Sequence, residues 1–364
     1  MRILIIRISA LGDAIHTLPA IDIFKKTFPD AQIDWLVQQK IIGIVRHIPG
    51  LHKIHVLSDH YLRPTHLGGT IHLFKDLRQS FYDLIIDFQG LCKTSLLILG
   101  INAPSIGFGW KSAREPLSSL AQTYVINPAV TSTIIDKNIA LACAAINILR
   151  KILPPPPAPF EDKKSLNNTK PFASTPQASP QAKARITAWL ATQPSPRLIL
   201  LAPNTTWTSK HWPLMRWQEL ASTIALPDHT IVLIGQHFGT QGRELAAFIE
   251  HNNLPITIAP PWTLEEIFAV IPHATAIVAP DTGLLHIADC MGIATIGIYG
   301  PTLVTRHGPL ITPGNRAHCF QVNCPHKYEK THSKSINPGD ITDCMLMLGA
   351  DEVAKKIIAL IHKE

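Results

Sequence analysis

The stretch that decides the fold is Ile277-Val-Ala-Pro-Asp281-Thr-Gly-Leu-Leu-His286-Ile-Ala-Asp-Cys-Met-Gly292-Ile-Ala-Thr-Ile-Gly-Ile-Tyr299-Gly-Pro-Thr302. It predicts a buried strand, a sharp turn at Asp281-Thr-Gly283, a short helix and a second strand. A helix that begins directly after such a turn points free backbone N–H groups at whatever lies there, and its dipole favours negative charge. In an α/β domain this is where a phosphate or diphosphate binds. The stretch therefore predicts an α/β protein that handles a nucleotide.

The length and composition of the chain indicate two folded domains. The 364 residues, of which 46% are hydrophobic, suit two domains of about 150 to 180 residues better than a single core. Lys and Arg exceed Asp and Glu by 33 to 26, which gives a net charge of +7. This excess favours anionic partners without choosing between nucleic acid, acidic lipid and phosphorylated substrates.

The sequence lacks the patterns of a membrane span or an exported protein. No apolar run reaches the roughly 18 residues that a span requires. Arg7 and Asp13 interrupt the N-terminal apolar run too early for a signal-peptide core. The six scattered cysteines are therefore expected to be free thiols in a reducing cytoplasm.

Short apolar runs alternate with helical patterns along both halves of the chain, which is typical of parallel sheets covered on both faces. The predicted fold class is α/β, with two doubly wound, Rossmann-like domains. Strands are predicted at 2–8, 32–37, 53–57, 83–88, 104–108, 197–202, 230–235, 255–259, 275–279 and 293–299. Helices of the first half are predicted at 14–27, 70–80, 91–100 and 136–152.

A proline-rich segment separates the two halves. It contains Leu153-Pro-Pro-Pro-Pro-Ala-Pro159 and continues as a polar stretch to about residue 182. Because neither a helix nor a central strand tolerates this proline density, we predict a linker over 154–182 between domains at 1–153 and 183–348. The last segment, 349–364, spaces Val353, Ile357, Ile358 and Ile361 on one helical face and is expected to pack on a domain surface.

The first predicted strand leads into a candidate catalytic carboxylate, in Ser9-Ala-Leu-Gly-Asp13-Ala-Ile-His16-Thr-Leu-Pro19. The carboxyl ends of parallel strands line the ligand crevice, so Asp13 lies where such a group is expected. A carboxylate there would equally serve as a cap for the following helix, and position alone leaves both roles open. His16, one turn further on, is expected to be a packing or capping residue rather than a catalytic one.

A second anion-binding pattern follows the first strand of the second half, in Ala202-Pro-Asn-Thr205-Thr206-Trp-Thr-Ser-Lys210-His-Trp-Pro213. Hydroxyls, backbone amides and one lysine in a loop that leads into a helix can hold a diphosphate. The loop lacks the glycines of a Walker A motif. No Gly-x-Gly-x-x-Gly follows the first strand, which argues against a nicotinamide or flavin dehydrogenase, and no nucleophile-elbow pattern is present.

A group of potential metal ligands lies near the C-terminus, at Cys319, Cys324, His326, His332 and Cys344. Their spacing fits no regular zinc template. Loop packing is therefore favoured over a zinc site.

Taken together, these motifs resemble those of the bacterial ADP-heptose:lipopolysaccharide heptosyltransferases. The resemblance is carried by Ser9 to Pro19, Thr205 to Pro213, Asp281 to His286 and Tyr299 to Thr302, in this order over nearly the whole chain. Two further segments look like the heptosyltransferase I subgroup: Asp87-Phe-Gln-Gly-Leu-Cys-Lys93-Thr-Ser95 and Ser112-Ala-Arg114-Glu-Pro-Leu-Ser-Ser-Leu120.

The resemblance implies the GT-B architecture, in which two Rossmann-like domains face a central cleft and a C-terminal helix crosses back to the first domain. It implies transfer of heptose from ADP-L-glycero-β-D-manno-heptose to a Kdo hydroxyl of Kdo-lipid A, with inversion. Asp13 matches the proposed general base of the family; a carboxylate with an ordinary pKa of about 4 is ionised at pH 7 and need only be positioned. No cofactor, metal or nucleic acid is implied.

The resemblance also implies binding residues for donor and acceptor. The acceptor side would use Arg63, Lys93 and Arg114, and the enzyme would be cytoplasmic and peripheral on the inner membrane, helped by its positive charge. The matching donor-binding residues are Thr205, Thr206, Lys210, Trp262, Asp281, Thr282, Gly283, Leu284 and His286.

The chain departs from the family in the loop after the strand at 230–235. Relatives commonly have a carboxylate there that contacts the ribose, whereas this chain has Gln236-His-Phe-Gly-Thr-Gln241. Two alternatives remain open at the level of sequence. One is a heptosyltransferase of another acceptor specificity, such as heptosyltransferase II; the other is a non-catalytic nucleotide-sugar binding protein.

Overall fold

The computed structural model describes residues 1–60, 67–129, 132–152, 172–309, 316–324 and 343–361. The chain divides into two units, Met1–Pro176 and Gln177–Glu364. Each unit contains one six-stranded sheet in which every neighbouring pair of strands is parallel.

The sheet of the first unit has the order β3-β2-β1-β4-β5-β6. Its inner strands are continuous apolar runs such as Ile3–Ile6, buried on both faces, because helices cover both sides of a parallel sheet. The strand order reverses between β1 and β4, and ligands bind outside the carboxyl ends of strands at such a point. The strands are β1 (Arg2–Ile6), β2 (Gln32–Gln38), β3 (Lys53–Leu57), β4 (Leu84–Asp87), β5 (Ser105–Phe108) and β6 (Tyr124–Ile126).

The sheet of the second unit repeats this arrangement, with the order β12-β11-β10-β7-β8-β9. Its order reverses between β7 and β10, so the loops that follow these two strands leave the sheet side by side. The strands are β7 (Leu198–Leu201), β8 (Thr230–Leu233), β9 (Ile256–Ile258), β10 (Ala274–Pro280), β11 (Ala294–Tyr299) and β12 (Ala317–Gln321).

The helices pack on the faces of the two sheets. Within the described residues, no helix is both long enough and apolar enough to cross a bilayer. The helices are α1 (Leu11–Ile15), α2 (Leu18–Thr27), α3 (Ile42–Val45), α4 (Leu67–Gln79), α5 (Cys92–Ile101), α6 (Ile134–Ile152), α7 (Pro180–Leu190), α8 (Leu214–Thr223), α9 (Thr240–His251), α10 (Leu264–Val270), α11 (Gly283–Cys290), α12 (Val304–His307) and α13 (Ala350–Ile361).

The sequence missed two strands and one helix break. All ten predicted strands are present, but β6 and β12 were not predicted because these edge strands are short and only partly buried. The predicted helix over 14–27 is two helices, α1 and α2, interrupted at His16 and Thr17. The interruption follows from Pro19, which lies in the first turn of α2 and has no N–H to continue a helix.

The predicted linker over 154–182 lies outside the described residues up to position 171. Its described end is ordered: Phe172 is buried, and the Asp22 carboxylate accepts the N–H groups of Ala173 and Ser174 at 2.8 Å each. Helix α7 begins inside the predicted linker at Pro180, because Ser179 is its N-cap and proline suits the first helical position. The linker prediction is therefore wrong for its last residues.

The C-terminal helix α13 packs within the second unit. It contacts α8 and the strands β10 and β11, and Val353 and Ile357 are fully buried in the hydrophobic core of that unit. That this helix also crosses back to the first domain stays a prediction. Of the predicted apolar face, α13 buries Val353 and Ile357, whereas Ile358 is 39% exposed.

A buried carboxylate, Asp34 on β2, ties three strands of the first unit together. It accepts hydrogen bonds from Arg2 (2.8 and 3.0 Å) and from Tyr82 (2.8 Å), and contacts His52 at 2.8 Å and His55 at 3.3 Å. Burial alone would raise the pKa of Asp34, but these hydrogen bonds hold it well below its usual value of 3.8. Asp34 is therefore a structural anion that sequence patterning did not single out.

Replacing Asp34 by asparagine is expected to destabilise the first unit by about 3 kcal/mol at pH 7, because Arg2 loses its buried counter-charge. Since the folded pKa of Asp34 is lowered, its stabilisation is present above its unfolded value of 3.8 and is lost as the pH falls further. The difference between variant and wild type should therefore shrink below pH 4. Urea unfolding with hydrogen exchange of β1–β3 measures this, with exposed Asp30→Asn as the control; an Asp34→Asn protein as stable as the control would contradict it.

Candidate functional site

Lys210 and Asp281, which lie 71 residues apart in sequence, meet at the point where the second sheet reverses its order. Lys210 ends a short 3₁₀ turn after β7, and Asp281 directly follows β10. The Lys210 ammonium donates to Asp281 Oδ2 at 2.7 Å, and His286 Nε2 lies 2.9 Å from Oδ1 of the same carboxylate. The topology thus brings together three of the predicted donor-binding residues.

The electrostatics of this cluster keep Asp281 ionised. Burial would raise its pKa, but the charge of Lys210, the hydrogen bond from His286 and the charge of His307 hold the pKa well below its usual value. Because an ionised carboxylate only accepts hydrogen bonds, His286 donates through Nε2. Asp281 therefore fixes the ammonium of Lys210 and the ring of His286 in place.

The amino terminus of α11 lies beside this cluster. Thr282 is the N-cap residue, with extended backbone angles, and Gly283 and Leu284 are the first helical residues. Their amides precede the first intrahelical hydrogen bond, which the His286 amide donates to Thr282 O at 3.4 Å. This arrangement of free amides, one lysine and a helix dipole suits a diphosphate.

The loop that carries Thr205, Thr206 and Lys210 is held by two residues that the sequence did not identify. Asn204 donates to Gly235 O at 2.7 Å and accepts the Gly242 N–H at 2.9 Å, which joins this loop to the loop after β8. The Lys210 ammonium also lies 5.3 Å from the centre of the Trp207 ring. Thr206 is exposed and Thr205 is half-buried, so their hydroxyls lie near the protein surface.

Trp262 follows β9, the neighbour of β8 in the second sheet. Trp262 is buried and packs edge-on against Trp189, with the ring centres 4.7 Å apart. In the loop after β8, the Gln236 side-chain amide donates to Ala259 O. Gln236 thus bonds the backbone of its own unit.

Asp13 lies in the first unit, at the third position of α1, directly after β1. Its carboxylate pairs with Arg7 at 3.1 Å and accepts the Ala10 N–H at 3.3 Å. The Arg7 side chain is 7% exposed and that of Asp13 17%. The two alternatives for Asp13 are therefore compatible, because the hydrogen bond to Ala10 caps the helix while Arg7 orients the carboxylate.

The segment from Asp87 to Ser95 supports the turn that carries Asp13. Gln89 Oε1 accepts the N–H groups of Ile8 at 3.0 Å and Ser9 at 3.2 Å, and Arg7 donates to the carbonyl of Phe88. These contacts form because β4 pairs with β1 at the point where the order of the first sheet reverses. This segment, which the sequence related only to a subgroup, therefore positions the β1–α1 turn.

Asp87 holds this segment in shape from a fully buried position. Its carboxylate accepts the N–H groups of Gln89 at 2.9 Å and Gly90 at 3.2 Å, and further bonds from Thr94 and Gln122. Burial raises its pKa to about 6. Gly90 has φ +62 and lies against the backbone of Arg114, which explains why a residue without a side chain occupies this tight turn.

Replacing Gln89 by leucine is expected to lower kcat for the transfer reaction that the resemblance implies by about 10- to 100-fold, with the donor KM unchanged. The substitution leaves the Ile8 and Ser9 amides without their acceptor, so the turn that carries Asp13 loses its support. Steady-state kinetics against Gln193→Leu, a glutamine of the second unit, checks this. A kcat within twofold of that control would show that Gln89 does not position the turn.

Basic side chains gather near the amino terminus of α5. Burial lowers the pKa of Lys93, and the neighbouring charges of Lys40 and Arg114 lower it further, while Glu115 raises it. Lys93 and Arg114, predicted as acceptor-binding residues, are therefore neighbours, and Lys40 joins them as a residue that the sequence did not identify. Arg63, the third predicted acceptor residue, lies outside the described residues.

The Cys/His group near the C-terminus does not form a recognisable metal site in the part of the chain that the structure describes. Cys324 and Cys344 belong to the hydrophobic core of the second unit, together with Met345. His326 and His332 lie outside the described residues. All six cysteines are free thiols.

Comparison with known proteins identifies a family and several relatives that this chain resembles. The profile of glycosyltransferase family 9 (heptosyltransferase) matches residues 70–337. The lipopolysaccharide heptosyltransferase 1 of Pseudomonas aeruginosa is 29% identical over 311 residues, which cover 83% of this chain and 79% of that protein. The protein of the same name from Escherichia coli K12 is 27% identical over 308 residues, covering 83% and 88%.

The solved structure of an E. coli heptosyltransferase with ADP superposes with a TM-score of 0.73 at 22% identity, covering 99% of this chain and 100% of that one. This likeness confirms the predicted α/β fold class, that of the GT-B glycosyltransferases. Since the family profile covers more than two thirds of the residues, the chain belongs to glycosyltransferase family 9, the heptosyltransferase family.

Proposed function

We propose that this glycosyltransferase moves L-glycero-D-manno-heptose from ADP-heptose to Kdo of Kdo-lipid A, in lipopolysaccharide inner-core synthesis, with inversion at the anomeric carbon. Family membership and relatives named lipopolysaccharide heptosyltransferase 1 support the choice of sugar and pathway. The observation that carries the donor assignment is the cluster of Lys210, Asp281 and His286 beside the amino terminus of α11.

On the donor side, this cluster acts on the leaving group. The bond between the anomeric carbon and the diphosphate oxygen breaks, and ADP leaves with the electron pair and an additional negative charge. Lys210, held at 2.7 Å by Asp281, and the amides of Thr282 and Gly283 are positioned in advance to stabilise that charge. Thr205 and Thr206 supply hydroxyls from the neighbouring loop, and Trp262 provides an apolar surface for the adenine.

In the first unit, Asp13 is the general base of the proposal. A Kdo hydroxyl attacks the anomeric carbon on the face opposite ADP, and Asp13 takes the proton of that hydroxyl as the new C–O bond forms. Arg7 pairs with Asp13 at 3.1 Å and also donates to the carbonyl of Phe88. The guanidinium is therefore fixed in position, and it orients the Asp13 carboxylate. Transfer without a metal ion is consistent with this charge arrangement, because Lys210 and helix amides serve the diphosphate.

The acceptor assignment rests on the basic group of the first unit. Kdo carries a carboxylate, and Lys40, Lys93 and Arg114 offer positive charge near the end of β4. Arg63 belongs to this assignment by resemblance. Because the acceptor is a lipid, the transfer would take place at the cytoplasmic face of the inner membrane.

Parallel assays with two acceptors test the proposal. Purified full-length protein is incubated with ADP-heptose and either Kdo-lipid A or the same lipid that already carries the first heptose, and products are followed by mass spectrometry. We expect one heptose to be added to Kdo-lipid A and none to the heptosylated lipid. Transfer only to the heptosylated lipid would favour heptosyltransferase II, and binding of ADP-heptose without any transfer would favour a binding protein.

A further inference from the structure

Four exposed leucines form a surface in the first unit that the transfer reaction does not use. Leu96 and Leu99 lie on α5, and Leu117 and Leu120 lie on the 3₁₀ helix Pro116–Ala121. Their exposed fractions are 64%, 66%, 59% and 77%. We call this set the leucine patch.

The two elements run side by side in the same direction. The Cys92 N–H donates to Glu115 Oε2 at 2.6 Å, and three residues later Ser95 Oγ donates to Ser118 O at 3.0 Å. Ser95 and Ser118 are buried between the elements. The serines are buried whereas all four leucines are exposed, so the leucines lie on the outer sides of two adjacent elements.

Each element has a cation at the same end of this face. On α5 the order is Lys93, Leu96 and Leu99, and Arg114 lies two residues before the 3₁₀ helix that carries Leu117 and Leu120. Residues three apart lie on one side of either kind of helix. The face is therefore apolar along its length and basic at the end where β4 and the turn of Asp13 lie.

Such a surface is unusual for a side of a protein that meets only water, because contiguous exposed apolar residues mark interaction sites. Lys93 and Arg114 indicate which kind of partner binds this surface. A lipid bilayer with anionic headgroups offers a hydrocarbon boundary for the leucines and negative charge for Lys93 and Arg114 at the same time. The Glu115 carboxylate, which accepts the Cys92 amide, stays ionised because that bond lowers its pKa, so it offsets one of the two positive charges and leaves a net charge of +1 at this end.

We propose that the leucine patch docks the enzyme on the surface of an anionic lipid bilayer. The choice of a lipid rather than a protein partner rests on the proposed function, in which the acceptor is a lipid. Docking there would bring the basic group at Lys93 and Arg114 to the level of the headgroups. Docking would precede the transfer reaction, so it does not depend on the donor-binding residues.

Vesicle flotation with the full-length protein tests the proposal without donor or acceptor. Vesicles of phosphatidylethanolamine and phosphatidylglycerol should bind the wild type, and phosphatidylcholine vesicles should bind it much less. Leu96→Gln/Leu99→Gln and Leu117→Ser/Leu120→Ser should each weaken binding by about tenfold or more. Arg114→Gln should weaken it by about fivefold, and this loss should disappear at high salt.

Matched controls come from the second unit. Met347→Gln removes an apolar side chain that is 67% exposed, and Arg197→Gln removes an exposed cation; both should bind vesicles like the wild type. The leucine variants should unfold at the wild-type temperature and transfer heptose to a deacylated, water-soluble acceptor at the wild-type rate. Their transfer to Kdo-lipid A in vesicles should fall in parallel with binding.

Several results would overturn the proposal. Vesicle binding that is unchanged in both leucine double variants would do so, as would a wild-type dimer in sedimentation that Leu117→Ser/Leu120→Ser dissociates while vesicle binding stays the same. A wild type that binds vesicles through the patch but does not use Kdo-lipid A would instead reject the proposed acceptor and leave the docking surface supported. The two proposals therefore fail separately.

Discussion

Replacing Asp13 by asparagine is expected to lower kcat for heptose transfer by about a thousandfold, with ADP-heptose binding within about twofold of the wild type. Asparagine keeps the shape of the side chain and can still accept the Ala10 N–H, but it cannot take a proton from the attacking hydroxyl. Single-turnover kinetics for the chemical step and calorimetry for donor binding measure the two effects separately.

The matched control is Asp76→Asn, which changes a carboxylate on α4 that is 39% exposed. It should transfer at the wild-type rate. Asp13→Asn also removes the charged partner of Arg7, so the unfolding temperature of the variant should be recorded. We expect an intact fold, because the Arg7 guanidinium keeps its hydrogen bond to the carbonyl of Phe88. Turnover within tenfold of the wild type would remove Asp13 from the mechanism.

The second large effect is expected for Lys210→Met. We expect the KM for ADP-heptose to rise by at least about tenfold and kcat to fall by about 10- to 100-fold, because the lysine charge acts on the bound diphosphate and more strongly on the departing one. Lys210→Arg should retain most of the activity. A donor KM unchanged in Lys210→Met would contradict the phosphate assignment.

A double variant separates donor binding from stability. Lys210→Met leaves the buried Asp281 carboxylate without its ion-pair partner, which should destabilise the second unit by about 3 to 5 kcal/mol. Lys210→Met/Asp281→Asn removes both charges and should recover most of that stability. If Lys210 binds the donor, KM stays high in the double variant; if Lys210 only neutralises Asp281, KM recovers together with stability.

The sequence was most informative where the chain is buried on both sides. Most of the ten predicted strands are short runs of mainly apolar residues, and the predicted fold class is confirmed. The edge strands β3 and β9 each bury at least one residue and were predicted, whereas the edge strands β6 and β12 contain no buried residue and were missed. The start of α7 was missed because proline density was interpreted as a linker, although Ser179 followed by Pro180 is a helix start.

For the candidate site, the sequence identified residues that lie in loops directly after strands but not the contacts between them. The pairing of Lys210 with Asp281 depends on β7 and β10 being neighbours, which no local pattern contains. Arg7, Gln89 and Lys40 were missed for the same reason. Gln89 has no local signature of its role, because its two hydrogen-bond donors, the amides of Ile8 and Ser9, lie 80 or more residues away in sequence.

The most direct test of the central claim is the structure of the product that the wild-type enzyme forms from ADP-L-glycero-β-D-manno-heptose and Kdo-lipid A. Nuclear magnetic resonance of the purified product reports both the linkage and the anomeric configuration. The account predicts one heptose joined to a Kdo hydroxyl in the α configuration, inverted relative to the donor. A β-linked heptose, or a heptose attached to any residue other than Kdo, would contradict it.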